Sequence, residues 1–220
     1  MNLINEEDVV NYLGSYPEFF ERHAELLAAV QLSSPHGRRA VSLQERQAEM
    51  LRDKIRMLEH RIMEMIRHGN DNLALTDRLL HCARDLLQVQ DKAGMPGQLT
   101  DVIQSQFAVP QVAIRLWGLA PEYAQAAYAQ GVSENAKVFA ASLHEPFCGV
   151  NSGFESAGWL AHPELAASLA LLALRDAPGA PAFGLLVLAS PDAQRFTSTM
   201  GTEFLARIGE LAGAALSRLK

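Results

Sequence analysis

The chain has 220 residues, of which 49% are hydrophobic and 20% charged, and its formal net charge is −6. This apolar fraction is ordinary for a globular protein, so it excludes wholesale disorder, and the length is typical of one or two domains. Two cysteines are too few for a disulfide-rich secreted scaffold. The first residues are acidic, and the apolar runs are far shorter than the roughly 18 residues of a membrane span, which predicts a cytoplasmic protein with no membrane partner.

The negative charge is distributed unevenly. Residues 1–37 carry a net charge of −5, whereas residues 38–68 carry +3. Acidic residues are interspersed in the basic segment, which is typical of a solvated helix face, so nucleic acid is not the favoured partner. A DNA-associated accessory role remains an alternative, and it would use five arginines: Arg38, Arg39, Arg46, Arg52 and Arg56.

Residues 1–40 are predicted to form an N-terminal helical cap. Helical spacing of apolar residues runs through Leu13, stops at Gly14 and Pro17, and resumes from Phe19. Two short helices are also found in helix-turn-helix proteins, but a DNA-reading helix needs basic groups for the phosphates and this segment is acidic. A cap that packs on its neighbours is therefore the favoured interpretation.

Residues 41–90 are predicted to form a coiled-coil helix. Ala48, Ile55 and Ile62 occupy heptad position a, and β-branched residues at a with leucine at d favour a parallel two-stranded coiled coil. The alternative is a single amphipathic helix packed on a domain. The predicted dimer stalk consists of Leu51, Ile55, Leu58, Ile62 and Met65.

The heptad pattern is interrupted near residues 69–72. Gly69 falls at a and Asn72 at d, and the apolar stripe then resumes at Leu73 with its register shifted by four residues. Such an insertion is either a stutter, which locally unwinds a supercoil, or a helix break followed by a new asparagine-capped helix. Both alternatives predict a mechanical discontinuity next to the following domain.

Residues 91–220 predict an α+β domain. A linker over 91–97 precedes a helix that ends before Pro110, and an amphipathic helix spans 197–220. A helical stretch is expected over 121–130. This order favours one antiparallel sheet with flanking helices, and the strand-like runs are Val112–Trp117, Val138–Leu143, Leu169–Leu174 and Phe183–Ala189.

Several separated motifs occur in a fixed order along the chain. They are Tyr12-Leu13-x-x-Tyr16-Pro17-x-Phe19-Phe20, Pro35-His36-Gly37, Ala40-Val41-Ser42-Leu43-x-Glu45-Arg46-Gln47, Ser190-Pro-Asp-x-x-Arg195-Phe196 and Met200-Gly-Thr-x-Phe204-Leu. With these motifs the chain resembles, over essentially its whole length, the bacterial family called domain of unknown function 484. The resemblance implies a GAF-like fold after a helical lead-in. GAF-like domains bind small ligands, such as cyclic nucleotides or tetrapyrroles, or only mediate dimerisation, so the resemblance implies a class of protein and no activity.

The sequence predicts no catalytic residues and no metal site, and it leaves any cofactor unknown. Gly-x-Ser-x-Gly, Walker, Gly-x-Gly-x-x-Gly and His-Glu-x-x-His motifs are all missing. His144, Cys148 and His162 lack a paired metal-ligand spacing. Cys148 is either a reactive or tetrapyrrole-linking thiol or, as favoured here, a half-buried structural cysteine.

The strand at 112–117 carries the candidate ligand site. Side chains alternate along a strand, so Val112, Ile114 and Leu116 share the predicted helix-packed face, and Arg115 and Trp117 share the other. Arginine can pair with a carboxylate or phosphate, and tryptophan can stack on a ring. Alternatively, Arg115 is a surface residue that lies over the indole. A lid over 147–159 would add Phe147, Cys148, Phe154 and Trp159, unless it is an ordinary connection.

Together these features predict a non-enzymatic GAF-like sensory or scaffold protein that is homodimeric through its stalk. A small ligand bound between sheet and lid would act on the stalk through the Gly69 region, and a protein partner is possible. The alternative is a pure interaction module whose pocket is filled by its own side chains. The ligand, the partner and the pathway are not encoded in any recognisable motif.

Overall fold

The computed structural model describes residues 5–29 and 43–220, with side chains described for 5–26 and 47–220. The predicted residues Arg38 and Arg39 lie outside the described residues, and so does the Arg46 side chain. The chain divides into two compact units, Met1–Arg61 and Ile62–Lys220. The finer division of the sequence at residues 40 and 90 stays a prediction. No described helix is long and apolar enough to cross a membrane.

The first unit begins with three short helices, α1 (Glu6–Ser15), α2 (Phe19–Arg22) and α3 (Ala24–Ala29). Asn5 and Asp8 form a capping box, in which the Asn5 side chain accepts from the Glu7 N–H and the Asp8 carboxylate accepts from the Asn5 N–H. None of residues 5–26 is buried. The ring contacts in this segment are made by its own residues, with centroid distances of 4.7 to 5.9 Å, among Tyr12, Tyr16, Phe19, Phe20 and His23.

Helix α4 runs without interruption from Leu43 to Leu87, across the boundary between the two units. The helix break predicted near residues 69–72 is therefore wrong. One interior glycine costs only about 1 kcal/mol relative to alanine, which a 45-residue helix tolerates. Thr76 Oγ1 donates to the Asn72 carbonyl at 2.8 Å, so this polar stretch is accommodated within the helix. Of the two predicted alternatives, a stutter and a helix break, only the stutter, a four-residue shift of the apolar stripe, is compatible with a continuous helix.

Helix α5 spans Met95–Phe107 and begins earlier than the sequence predicts. Pro96 lies in its first turn, where proline is favoured because no intrahelical N–H bond is lost. Before it, the Asp91 carboxylate accepts from the N–H groups of Ala93 and Gly94 at 3.0 and 3.1 Å. The chain leaves the helix through Ala108, which adopts a left-handed conformation with φ of 49°.

The sheet of the second unit has four antiparallel strands in the order β1-β4-β3-β2. The α+β class and the antiparallel sheet with flanking helices are therefore confirmed. The strands are β1 (Gln111–Leu116), β2 (Phe147–Val150), β3 (Ser168–Leu174) and β4 (Gly184–Ser190), and the remaining helices are α6 (Glu134–Ser142) and α7 (Glu203–Leu216). Short 3₁₀ helices occupy Pro121–Tyr123, Ala127–Ala129, Glu155–Trp159, Pro163–Leu165 and Ser217–Leu219.

Three local predictions in this unit are wrong. The run Val138–Leu143, expected as a strand, lies in α6 and its C-cap, because the Ser133 side chain caps that helix by accepting from the Ala136 N–H at 3.1 Å. The strand beside β3 is instead Phe147–Val150, which the sequence predicts as part of a lid. The stretch 121–130 forms two 3₁₀ turns and not one helix.

The sheet separates two apolar cores, and the side-chain alternation predicted for β1 is confirmed. Ile114 and Leu116 face the core built with α5, α7 and the end of α4, whereas Ala113 faces the opposite core below α6. Cys82 and Leu86 are buried in the first of these cores. The core of this unit therefore includes residues that precede the predicted boundary at residue 91.

Candidate ligand site and interaction surfaces

The residues predicted to bind a ligand lie mainly on the sheet face below α6. Trp117, Phe147, Phe154 and Trp159 pack there as partly buried side chains, which we call the aromatic face. The Phe154 ring is 5.0 Å from that of Phe147 and 5.7 Å from that of Phe139 of α6. The structure thus brings these predicted residues together, but it does so by packing them against one another.

Arg115 joins this face through a different tryptophan from the one that the sequence suggests. Its guanidinium carbon lies 5.8 Å from the centroid of Trp159, and its Nη1 donates to the Ile114 carbonyl at 3.0 Å. The Trp117 indole N–H donates instead to the Ala182 carbonyl at 2.9 Å. Burial lowers the pKa of Arg115. Its Nε is buried and has no hydrogen-bond partner among the described residues.

Cys148 does not belong to this group, because its side chain lies in the core on the opposite face of the sheet. It is a buried free thiol, and burial raises its pKa. A raised pKa favours the protonated thiol, which is a poor nucleophile. These observations support the structural role for Cys148 and separate it from the other five predicted site residues.

The cavity beneath α6 is small. It has a volume of about 170 Å³ and is lined by Asn135, Ala136, Phe139, Phe154, Glu155, Ser156 and Leu185. Typical ligand pockets have about 300–1,000 Å³. The wall over it is held by Glu155, which accepts from the N–H and the hydroxyl of Ser133 at the start of α6. Arg115 and the two tryptophans are not among the lining residues.

His144 and His162, near the predicted lid, make hydrogen-bond contacts that involve main-chain groups. His144 Nδ1 lies 2.9 Å from the Ser142 carbonyl, and the His162 N–H donates to the Gln111 side chain at 2.8 Å. Within residues 5–29 and 43–220, no three His, Cys, Asp or Glu side chains are placed to hold a metal ion.

The motif around Arg195 has a structural role. The Arg195 N–H donates to the Asp192 carbonyl at 3.2 Å and closes the turn. Its guanidinium donates to the Phe107 carbonyl at the end of α5, at 2.9 Å. Phe196 is buried in the core. The motif therefore ties β4 to α5 and anchors the chain before α7.

The predicted stalk residues of α4 are all exposed. The exposed fractions are 61% for Leu51, 53% for Ile55, 47% for Leu58, 54% for Ile62 and 72% for Met65. In the basic segment, Arg52 is exposed, and Arg56 lies 3.7 Å from Asp53 one turn away. The arginines of this segment are therefore partly balanced along the helix, and a DNA-binding role stays untested.

The last turns of α4 carry two apolar stripes, and the heptad pattern predicts only the one that resumes at Leu73. Leu79, Cys82 and Leu86 pack into the core of the second unit. The other stripe lies outside this core, and the exposed fractions are 66% for Leu73, 63% for Leu80 and 81% for Leu87. The stripe that the heptad pattern does not predict is Leu79, Cys82 and Leu86. Its spacing i, i+3, i+7 is itself a helical signal, but it overlaps the stripe that resumes at Leu73.

These features define an α+β domain in which an antiparallel sheet is covered by helices on both faces and preceded by a long helix with an exposed apolar stripe. The chain belongs to the family described as "Protein of unknown function, DUF484", whose profile matches residues 1–220. No curated protein matches the chain.

Similar solved structures include two GAF domains. That of a predicted sensor histidine kinase from Pseudomonas syringae pv. tomato is 16% identical, covers 70% of this chain and 92% of its own, and has a TM-score of 0.46. That of A. aeolicus nlh2, in an inactive state, is 12% identical, covers 68% and 99%, and has a TM-score of 0.45. The free methionine-R-sulfoxide reductase from Neisseria meningitidis is 12% identical, covers 65% and 88%, and has a TM-score of 0.44. Similarity at this level carries no argument about ligand or activity.

Proposed function

We propose that this protein is a non-enzymatic, GAF-like homodimeric scaffold, in which α4 pairs with α4 of a second copy and the sheet domain presents surfaces to a partner. The observation that carries this proposal is the exposure of a continuous heptad stripe along α4, from Leu51 to Met65. Large exposed apolar stripes on a soluble chain mark interaction sites, because leaving them in water is unfavourable.

A second copy of the chain suits this stripe better than an unrelated partner. Residues spaced at a and d with charged neighbours are self-complementary in a parallel pair. Lys54 at g and Glu59 at the next e are placed to form an interchain ion pair, which would set register more than stability. Leu73, Leu80 and Leu87 extend the apolar surface of the same helix beyond the four-residue shift. A pair of α4 helices would therefore cover both segments of the stripe.

Scaffolding is favoured over ligand sensing by the packing of the aromatic face. Phe139, Phe147 and Phe154 occupy the space below α6, and the cavity that is left has only about 170 Å³. This arrangement supports the interaction module whose pocket is filled by its own side chains.

The test is the mass of the full chain in solution, measured by light scattering on a size-exclusion column. We expect the mass of a dimer. Leu58→Lys, at position d, should yield a monomer, because a buried charge at the centre of the seam is not compensated. The matched control is Met57→Lys, at position c, where an apolar residue is 58% exposed against 47% for Leu58; this variant should remain dimeric. A monomeric wild-type chain, or a dimer that survives Leu58→Lys, contradicts the proposal.

A ligand-sensing role is a second candidate, and one observation supports it. The Nε of Arg115 is buried without a hydrogen-bond partner beside Trp159, which is a costly arrangement that an anionic group would relieve. Native mass spectrometry of the purified chain, with a thermal-shift screen of nucleotides, amino acids and tetrapyrroles, tests this candidate. A bound species that is lost in Arg115→Met supports sensing, and no bound species and no shift supports the scaffold.

A further inference from the structure

A larger cavity lies next to the C-terminal end of α6, beside the part of β3 that extends beyond β2. It has a volume of about 700 Å³ and is open to solvent between α7 and the segment that leads into β2. We call it the edge groove. Its floor includes Leu172 and Ala173 of β3 and Arg175, which follows the strand. Its walls include Leu143 and Pro146 on one side and Leu205, Gly209 and Glu210 of α7 on the other.

The backbone of β3 is unpaired along this groove. The ladder between β2 and β3 ends at the pair Phe147 and Leu171, although β3 continues to Leu174. The Asn151 N–H donates to the Ala167 carbonyl, and peptide groups alternate in direction along a strand. The N–H and the carbonyl of Ala173 therefore face the side of β2. No described residue hydrogen-bonds to them on that side.

The sequence explains why β2 stops short of this position. The register places residue 145 opposite Ala173. Pro146 has no N–H, and it disfavours a regular strand before Phe147. Residues 143–146, which connect the end of α6 to β2, form no strand and line the groove instead. The edge is thus left open by local chemistry.

The charges around the groove indicate what it would accept. Arg175 is already used, because its guanidinium donates to the carbonyls of Ala141 and Leu143 at the end of α6 and to that of Ala180. Asp176 is paired with Lys220 at 2.7 Å. The exposed side chains of Glu145 and Glu210 make no ion pair within the described part of the chain. The free charge at the rim is therefore negative, above an apolar floor.

We propose that the edge groove binds an extended segment of a partner protein, one that carries aliphatic and basic side chains, by adding it to β3 as a strand in line with β2. Main-chain hydrogen bonds to Ala173 would supply affinity, and alternate side chains would reach the apolar floor and the acidic rim. This surface is separate from the exposed stripe of α4 and does not depend on dimerisation.

The first test measures binding of a fluorescein-labelled nonapeptide of alternating valine and lysine to the full chain, by fluorescence anisotropy. We expect saturable binding that is about tenfold tighter than that of the valine–glutamate counterpart, because charge complementarity sets specificity at a rim. Two further valine–lysine peptides are N-methylated, one on every valine and the other on every lysine. Only one of these sets faces β3 in a bound strand, so one peptide should lose its hydrogen bond to the Ala173 carbonyl and bind up to about tenfold more weakly, whereas the other should bind normally.

The second test uses variants of the groove. Glu210→Lys should weaken the valine–lysine peptide about threefold or more, as expected for a rim charge. Asp101→Lys is the control, since Asp101 is exposed on α5 and does not line the groove. No saturable binding, equal binding of the glutamate peptide, or equal effects of the two methylated sets would overturn the proposal. If Glu210→Lys instead changes the mass of the particle in solution, the occupant is a second copy of this chain and the proposal is wrong.

Discussion

Helix α4 and the sheet of the second unit use apolar residues in opposite ways. Along α4 from Met50 to Ile66, the large apolar side chains are about half exposed or more, whereas the seven residues of β4 are all buried. Both regions carry large aliphatic side chains, but residues 50–66 intersperse them with charged residues, whereas β4 has no charged residue. They also differ in the number of covered faces: the sheet is covered on both sides by its own chain, whereas the described residues leave the stripe of α4 exposed.

The largest expected effect comes from a leucine that the chain itself covers. Leu186→Ala should lower the free energy of unfolding by about 3 kcal/mol, because Leu186 is fully buried in the core built with α5, α7 and the end of α4. Leu80→Ala is the matched variant on α4, where the leucine is 63% exposed. It should change the stability of the sheet domain by less than about 0.5 kcal/mol while weakening dimerisation. Urea unfolding at several protein concentrations separates the two effects, and equal losses would break the comparison.

A second prediction concerns the contact between α7 and the end of β3. A Cβ added at Gly213 would lie 2.1 Å from the Arg175 carbonyl, which is backbone and cannot move away. Gly213→Ala should therefore destabilise the chain by about 2 kcal/mol, in spite of the better helix propensity of alanine. At Gly209, one turn earlier, the nearest atom is Cδ2 of Leu172 at 3.6 Å, an ordinary contact. Thermal unfolding of Gly209→Ala should show no loss, and a tolerated Gly213→Ala would mean that α7 lies farther from β3.

The third prediction is a dependence of stability on alkaline pH. Burial, and then the Asp85 carboxylate, raise the pKa of the Cys82 thiol from 9.0 to about 11. Below pH 9 the thiol is protonated in both states. Between pH 9 and 11 the unfolded chain ionises first, so stability falls, by on the order of 2 kcal/mol. In a Cys148→Ala background, Cys82→Ala should flatten this part of the urea-unfolding curve against pH, and an unchanged slope would contradict the burial of this thiol.

The smallest effect is expected at the aromatic face. Trp117→Phe removes the indole N–H that donates to the Ala182 carbonyl, which should cost about 1 kcal/mol. Trp159→Phe removes no hydrogen bond among the described contacts and should cost less. Urea unfolding of the two variants side by side gives the difference. A larger loss for Trp159→Phe would assign the greater structural role to its contact with Arg115.

The parts of the fold that could be predicted are those in which one physical signal dominates. Alternation in β1 placed Ile114 and Arg115 on opposite faces, and uninterrupted apolar runs marked β3 and β4. The strand predicted over Val138–Leu143 is wrong because an apolar run of six residues fits a strand or a helix. The Ser133 cap stabilises the helix.

Much of the candidate site depends on contacts that sequence spacing does not determine. Arg115 meets Trp159, which is 44 positions away, and not Trp117 two positions away. Cys148 and Phe147 are adjacent in sequence but enter different cores, because neighbours on a strand point to opposite faces. Short β2 was missed since four residues with a glycine give no periodic signal.

The two stripes at the end of α4 have a consequence for how pairing would begin. Leu79, Cys82 and Leu86 are held in the core, so the angle at which this helix presents Leu73, Leu80 and Leu87 is fixed before any partner arrives. In the proposed dimer, an incoming helix would meet an already oriented surface and would not bear the conformational cost of ordering it. It also follows that the helix cannot rotate about its axis to suit another register without withdrawing the buried side chains of Cys82 and Leu86 and the packed side chain of Leu79. The sheet domain thereby restricts the geometries in which two chains can associate.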